Sequence, residues 1–152
     1  MNILCLDLGQ DCGWALHYNG QIYSGVWKLK PSKFDSAGVK YLKFKRNIES
    51  EILCGDIKKI YYEAVRRHIG TDAAHAYGGY MAVLQAVCLE NDIAYEGVPV
   101  QTIKKHATGK GNADKKSMIE GAIKKFKTIN IINDDHADAL WLLDYVLTIG
   151  QE

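Results

Sequence analysis

The 152-residue chain predicts an α/β fold, a mixed five-stranded sheet flanked by helices. Three observations carry that prediction. Five short apolar runs end at Gly, Asn-Gly or Pro, as strands do. Three of these runs come first, joined by short turns. The rest of the chain alternates longer segments of helical spacing with the two remaining runs, and this order suits a mixed sheet.

The first run, "NILCLDLG", reads as a buried strand with a Gly stop. "GWALHY" and "QIYSGVWKL" flank Asn19-Gly20, the strongest short-range hairpin signal. Pro31 and Ser32 mark a loop. Over 36–53, Val39, Leu42, Ile48, Ile52 and Leu53 recur at roughly helical spacing beneath a basic outer face. Gly55-Asp56 ends that helix, and "IKKIYYEAV" is the fourth strand. A long helix is expected over 72–91, with Asp72 as its N-cap. "IAYEGVPV" is the fifth strand, stopped near Pro99, and "VQTIKKHA" is a short turn or helix. A Gly-containing loop, "TGKGNADKK", leads to a helix over 113–126. "KTINII" then links to a last helix from about Asn133.

Length and composition suit one domain spanning 1–152. A chain of this size buries about 70% of its extended surface and needs no covalent staples. Apolar content of 47% with 24% charged is ordinary for a globular protein. No window approaches the ~20 apolar residues of a membrane span, and no basic leader precedes the first strand. Cys5, Cys12, Cys54 and Cys88 are spaced as neither a metal site nor a disulfide framework, so reduced thiols and a cytoplasmic location are expected. The net charge of +1 hides two basic blocks. Residues 104–127 hold eight lysines against Asp114 and Glu120, and residues 28–46 hold seven basic groups against Asp35. The remainder is acidic. That division suits a polyanion held around an acidic centre, and equally two solvated helix faces.

The acids carry the chemistry. Asp7 ends the first strand, Glu63 closes "KIYYE" in the fourth, and Asp135 and Asp138 stand i, i+3 on one face of the last helix. Acids at the ends of separate elements can converge at one end of a sheet, where their repulsion calls for a cation. Hard oxygen ligands suit magnesium, and two such ions can serve phosphodiester hydrolysis. Taken singly, Asp7 also suits a strand-end turn, Glu63 a surface position beside Arg66 and Arg67, and Asp134 and Asp135 a helix N-terminus. For Asp138 a purely structural reading is weaker, because it lies one turn in and just before "ALWLL", where a charge has little reason to be. His136 reads as an exposed residue of the helix's first turn.

Four segments in this order carry a resemblance: "DLGQDCGWA", "YYEAV", "VPVQTIKKHATGKGNADKKSM" and "DDHADALWLL". Together they resemble the RuvC-type Holliday junction resolvases of the ribonuclease H-like superfamily, in a compact, phage-type form. The resemblance implies a ribonuclease H-like fold and a crossover junction endodeoxyribonuclease acting on branched DNA. It implies that Asp7, Glu63, Asp135 and Asp138 bind two Mg2+ ions per active site, with Mn2+ able to substitute. It places Lys104 and Lys115 at the phosphates or in support of the site. Arg66, Arg67, Lys105, Lys110 and Lys116 join them as the expected DNA-contacting set. Some cellular members carry an aromatic residue a few positions after the second acid, where this chain has Arg66. The setting implied is a bacterial cell or a phage-infected host. The alternatives are a general structure-selective or ribonuclease H-type nuclease, and a non-catalytic relative that binds branched DNA. Actin-like sugar kinases share an Asp-x-Gly strand and hairpin, but they are much longer and lack the Asp-x-x-Asp helix.

In the long helix, Ala74, Gly78, Ala82 and Ala86 recur every fourth residue and form a stripe of small side chains. Gly costs ~1 kcal/mol against Ala in a helix interior, so Gly78 and Gly79 imply close packing. The packing partner is either the chain's own sheet or a second copy. The resemblance favours the second copy and hence a homodimer.

Overall fold

The computed structural model describes residues 1–150, and residues 151 and 152 of the expected domain lie outside that description. The five strands are β1 (Ile3–Asp7), β2 (Asp11–Tyr18), β3 (Gln21–Lys28), β4 (Lys59–Ala64) and β5 (Ala94–Pro99). They form one sheet in the order β3-β2-β1-β4-β5. β1–β2 and β2–β3 are antiparallel, while β1–β4 and β4–β5 are parallel, so the sheet is mixed as expected. The β2–β3 turn holds Asn19 at φ 48° and Gly20 at φ 82°. Asn and Gly tolerate this left-handed backbone, which matches the twist of a two-residue hairpin.

The helices are α1 (Val39–Gly55), α2 (Thr71–Glu90), α3 (Val100–Thr108), α4 (Lys115–Lys125) and α5 (Asp134–Ile149). α1 and α2 cover one face of the sheet, with Phe44, Ile48, Tyr80 and Leu84 packed on Leu4, Leu6 and Ile60. α3, α4 and α5 cover the other, where Ile103, Met118, Leu140 and Leu143 pack on Ile3, Cys5 and Tyr61. Cys5, Cys12 and Cys88 are buried free thiols. No helix among the described residues is long and apolar enough to cross a membrane.

Two expected caps are replaced. Gly70, not Asp72, precedes α2, and Asp72 lies in the first turn, where an acid complements the helix dipole without capping. Asn133, not Asp134, caps α5, its side-chain oxygen accepting from the His136 N–H at 2.9 Å. The small-residue stripe of α2 turns away from the sheet, with Ala74, Gly78, Ala82 and Ala86 all exposed. Of the two glycines only Gly79 is tightly packed: a Cβ there would strike the Tyr41 ring of α1, whereas one at Gly78 would meet nothing.

Candidate active site

Strand periodicity places the first two acids. Side chains alternate between sheet faces, and Ile3, Cys5 and Tyr61 point to the α5 side. Asp7 and Glu63 share their parity and therefore their face. The parallel register Leu6↔Tyr62 sets both acids at the same level, just past the end of the β1–β4 ladder. α5 crosses this end of the sheet and brings in Asp138. One carboxylate oxygen each from Asp7, Glu63 and Asp138 lies within 4.8 Å of the others. Asp135 stands outside this trio, but its carboxylate is within hydrogen-bonding reach of Asp7.

Gly13 explains how α5 comes so near. It lies opposite Asp7 in the β1–β2 register, and a Cβ on it would overlap the backbone carbonyl of Asp135. A glycine inside a strand commonly marks such a close backbone approach, and here it seats the N-terminus of α5 directly on β2.

His136 is a correction. It is only 2% exposed, not a solvated first-turn residue. Its Nδ1 accepts the Ile132 N–H at 3.1 Å, which leaves the proton on Nε2 to donate to Ser24 Oγ at 2.8 Å. Burial lowers its pKa, consistent with a neutral ring. Both ring nitrogens are engaged, so the ring pins the segment before α5 to β3 and is turned from the acids. The sequence held a signal for this: His136, Leu140 and Leu143 share one helical row, and all three are buried.

The acids strain against one another. Burial raises the Asp7 carboxyl far above the usual carboxylate range, and Glu63, Asp138 and Asp135 add to it. Burial also raises Glu63 and Asp135, each partly relieved by a hydrogen bond with Asp7. Asp138 is pushed up to about 8 by burial, then by Glu63, Asp134 and Asp135. Asp11 and Asp134, which sequence reasoning left outside the site, add negative charge around Asp135. Asp11 is itself held by Lys28 at 2.8 Å.

Two lysines offset this charge. Lys104 in α3 lowers both Glu63 and Asp138. Lys115, the first residue of α4, lies 3.5 Å from Asp134 and lowers Asp135. Lys105, Lys110 and Lys116 are exposed and lie further along the same segment. Arg66 and Arg67 follow β4 and line a cleft of about 640 Å³ with Pro99, Val100 and Gln101. Ile69, at the tip of the same loop, is fully exposed. A second cleft of about 570 Å³ opens beyond Asp7, between Gly9, Gln10 and the α1 and α2 residues Lys40, Tyr41 and His75.

The donor set fits a hard divalent cation. It is all carboxylate, it draws no Cys or His, and its mutual repulsion is what a cation would neutralise.

No family model matches the chain, and no curated protein matches it in sequence. Solved structures do match its fold. The Thermus thermophilus RuvC structure superposes with a TM-score of 0.73 at 14% identity, covering 93% of this chain and 90% of that one. T. thermophilus RuvC in complex with a Holliday junction substrate gives 0.76 at 14% identity, over 93% and 89%. The crystal structure of the yeast mitochondrial Holliday junction resolvase Ydc2 gives 0.59 at 13% identity, over 91% and 74%. The fold is therefore that of RuvC, as the sequence motifs imply.

Proposed function

We propose that this chain is a single-domain, divalent-metal-dependent endonuclease. It resolves four-way DNA junctions by paired phosphodiester hydrolysis and leaves 5′-phosphate and 3′-hydroxyl ends. The observation that carries this reading is the convergence of Asp7, Glu63 and Asp138 from three elements to within 4.8 Å, in a fold shared with solved resolvases.

Asp7, Glu63, Asp135 and Asp138 would hold Mg2+, two ions per site, with Mn2+ as a substitute. Bound there, the cations supply positive charge to phosphate oxygens and acidify water. The chain's own residues do the rest. The four acids must be ionised to act as ligands, and Lys104 and Lys115 favour that state through Glu63, Asp138 and Asp135. The same ammonium groups then face the DNA backbone. Arg66, Arg67, Lys105, Lys110 and Lys116 extend the basic surface along α3, α4 and the loops beside them, and such contacts make binding strongly salt-dependent. The setting is the cytoplasm of a bacterial cell or of a phage-infected host.

Two cuts on one junction need two sites. The exposed row Ala74, Gly78, Ala82 and Ala86 on α2 lets a second copy's backbone come close, so the active form is a homodimer. Ala82→Arg should yield monomers in sedimentation velocity and single nicks in place of paired cuts. Wild-type protein that stays monomeric at micromolar concentration yet still makes paired cuts would exclude this assembly.

The deciding experiment offers four-way junction, flap, RNA–DNA hybrid and linear duplex in Mg2+. Symmetric paired cuts confined to the junction are expected. Preference for the hybrid would make the protein a ribonuclease H-type enzyme, and binding without cleavage would make it a non-catalytic relative.

A further inference from the structure

We propose that Tyr77 of α2 is a positioning residue that fixes Glu63 for cation binding. The inference rests on the reading of Glu63 as a ligand.

Glu63 lies where β4 outruns β1 and is paired on its β5 side alone. On one side the β1 register ends at Leu6↔Tyr62. On the other, β5 pairs through Val98 opposite Glu63 and Pro99 opposite Ala64, and proline has no N–H to give. A strand end paired on one side only, and there against a proline, is held less firmly unless something else binds its backbone. Tyr77 does so. Its hydroxyl donates to the Glu63 backbone carbonyl at 2.9 Å and accepts the Val65 N–H at 3.1 Å. One oxygen thus bridges the peptide groups on either side of Ala64. Tyr77 is 9% exposed, and the His68 ring packs 4.8 Å from its ring, closing the loop over the bridge. The direction of the Glu63 side chain is therefore set by α2 as well as by the sheet. Groups that orient a metal ligand commonly contribute ~10–100-fold to metal affinity.

A second tyrosine supplies the control. Tyr80 lies one turn further along α2, is 1% exposed, and its hydroxyl has no hydrogen-bond partner among the described residues. Removing that oxygen alters burial on the same helix without touching Glu63.

The test measures Mg2+ binding to the DNA-free protein by calorimetry, and the Mg2+ dependence of junction cleavage. Tyr77→Phe should weaken Mg2+ binding by about 10-fold and raise the Mg2+ concentration for half-maximal cleavage by the same factor. The rate should recover at saturating Mg2+. Tyr80→Phe should bind Mg2+ as the wild type does. Wild-type Mg2+ affinity in Tyr77→Phe, or an equal loss in Tyr80→Phe, overturns the proposal. Glu63→Gln separates the two levels. If it keeps full Mg2+ affinity, the ligand assignment falls and Tyr77's role with it. If it loses affinity while Tyr77→Phe does not, only Tyr77's role falls. Hydrogen exchange in the unmodified protein needs no variant to fold: the Val65 amide should be protected even without Mg2+, and fast exchange there overturns the bridge.

Discussion

Replacing Asp138 by Asn should stabilise the metal-free protein, by an amount that depends on pH. The Asp138 carboxyl is pushed up to about 8 from an ordinary value of 3.8, chiefly by burial and then by neighbouring acids. Below pH ~4 the proton is bound in both folded and unfolded chains, and the group costs nothing. As pH rises from there, the unfolded chain releases the proton while the folded chain keeps it, and stability falls. The loss is complete above the folded value. Each pH unit in this window is worth at most ~1.4 kcal/mol, so the ceiling at pH 7 is about 4 kcal/mol. The acids titrate together and share the strain, so about half of that is the working figure. For a chain of this size ~2 kcal/mol corresponds to a rise of roughly 4–8 °C in Tm. Thermal unfolding by circular dichroism in EDTA, at pH 4, 5.5, 7 and 8, should show Asp138→Asn matching wild type at pH 4 and exceeding it at pH 7. Saturating Mg2+ should narrow the gap, because the cation stabilises only the chain that binds it. A variant less stable than wild type at pH 7 in EDTA, or a gain equal at pH 4 and 7, would refute the reasoning.

Asp7→Asn should abolish Mg2+-dependent cleavage and leave junction binding intact or tighter in a gel-shift assay, and a near wild-type cutting rate would exclude the metal assignment. Gly13→Ala should cost about 3 kcal/mol or more in chemical denaturation, since overpacking typically costs 1–3 kcal/mol and here the added methyl meets the rigid Asp135 carbonyl. Lys104→Ala should lower cleavage more than binding and move the pH–rate profile to higher pH, because Lys104 favours the ionised forms of Glu63 and Asp138. Charge reversal at Lys40, Lys43 and Arg46 should instead weaken binding and flatten its salt dependence, read by fluorescence anisotropy across a salt series.

What could be read in the sequence is what period and punctuation encode. All five strands, the Asn19-Gly20 turn and the long helices follow from alternation, helical spacing and Gly or Pro stops. The strand-end acids were visible because Asp7 and Glu63 each close an apolar run. What could not be read depends on distant pairs. The helical row of His136 with Leu140 and Leu143 hinted at its burial but not at its partner, Ser24, 112 positions away, which accepts the Nε2–H. Asn133 outcompetes Asp134 as a cap because the chain reaches α5 in an extended conformation, at φ −159° and ψ −174°, at that residue. The Tyr77 bridge spans α2 and β4 and follows from no local pattern. The small-residue stripe had two readings, and only packing decides that it faces outward.

The placement of the acids also shows why this fold can keep them. Asp134 and Asp135 lie in the first turn of α5, where the unpaired N–H groups and the helix dipole favour negative charge. Asp138 lies beyond the reach of that field, which fades within the first turn, and it is the acid pushed up to about 8. Glu63 draws on Lys104, and Asp135 draws on Lys115. Asp7 has neither: burial dominates it and its acidic neighbours add to the rise. Lys104 also lowers Asp138 but does not offset its burial, and Asp7 and Asp138 both belong to the trio whose oxygens converge. If fold stability alone governed these positions, the neutral amide would be preferred at both. Carboxylates at both positions are therefore what the proposed cation site requires, and on that reading the stability of the last helix depends on the cation.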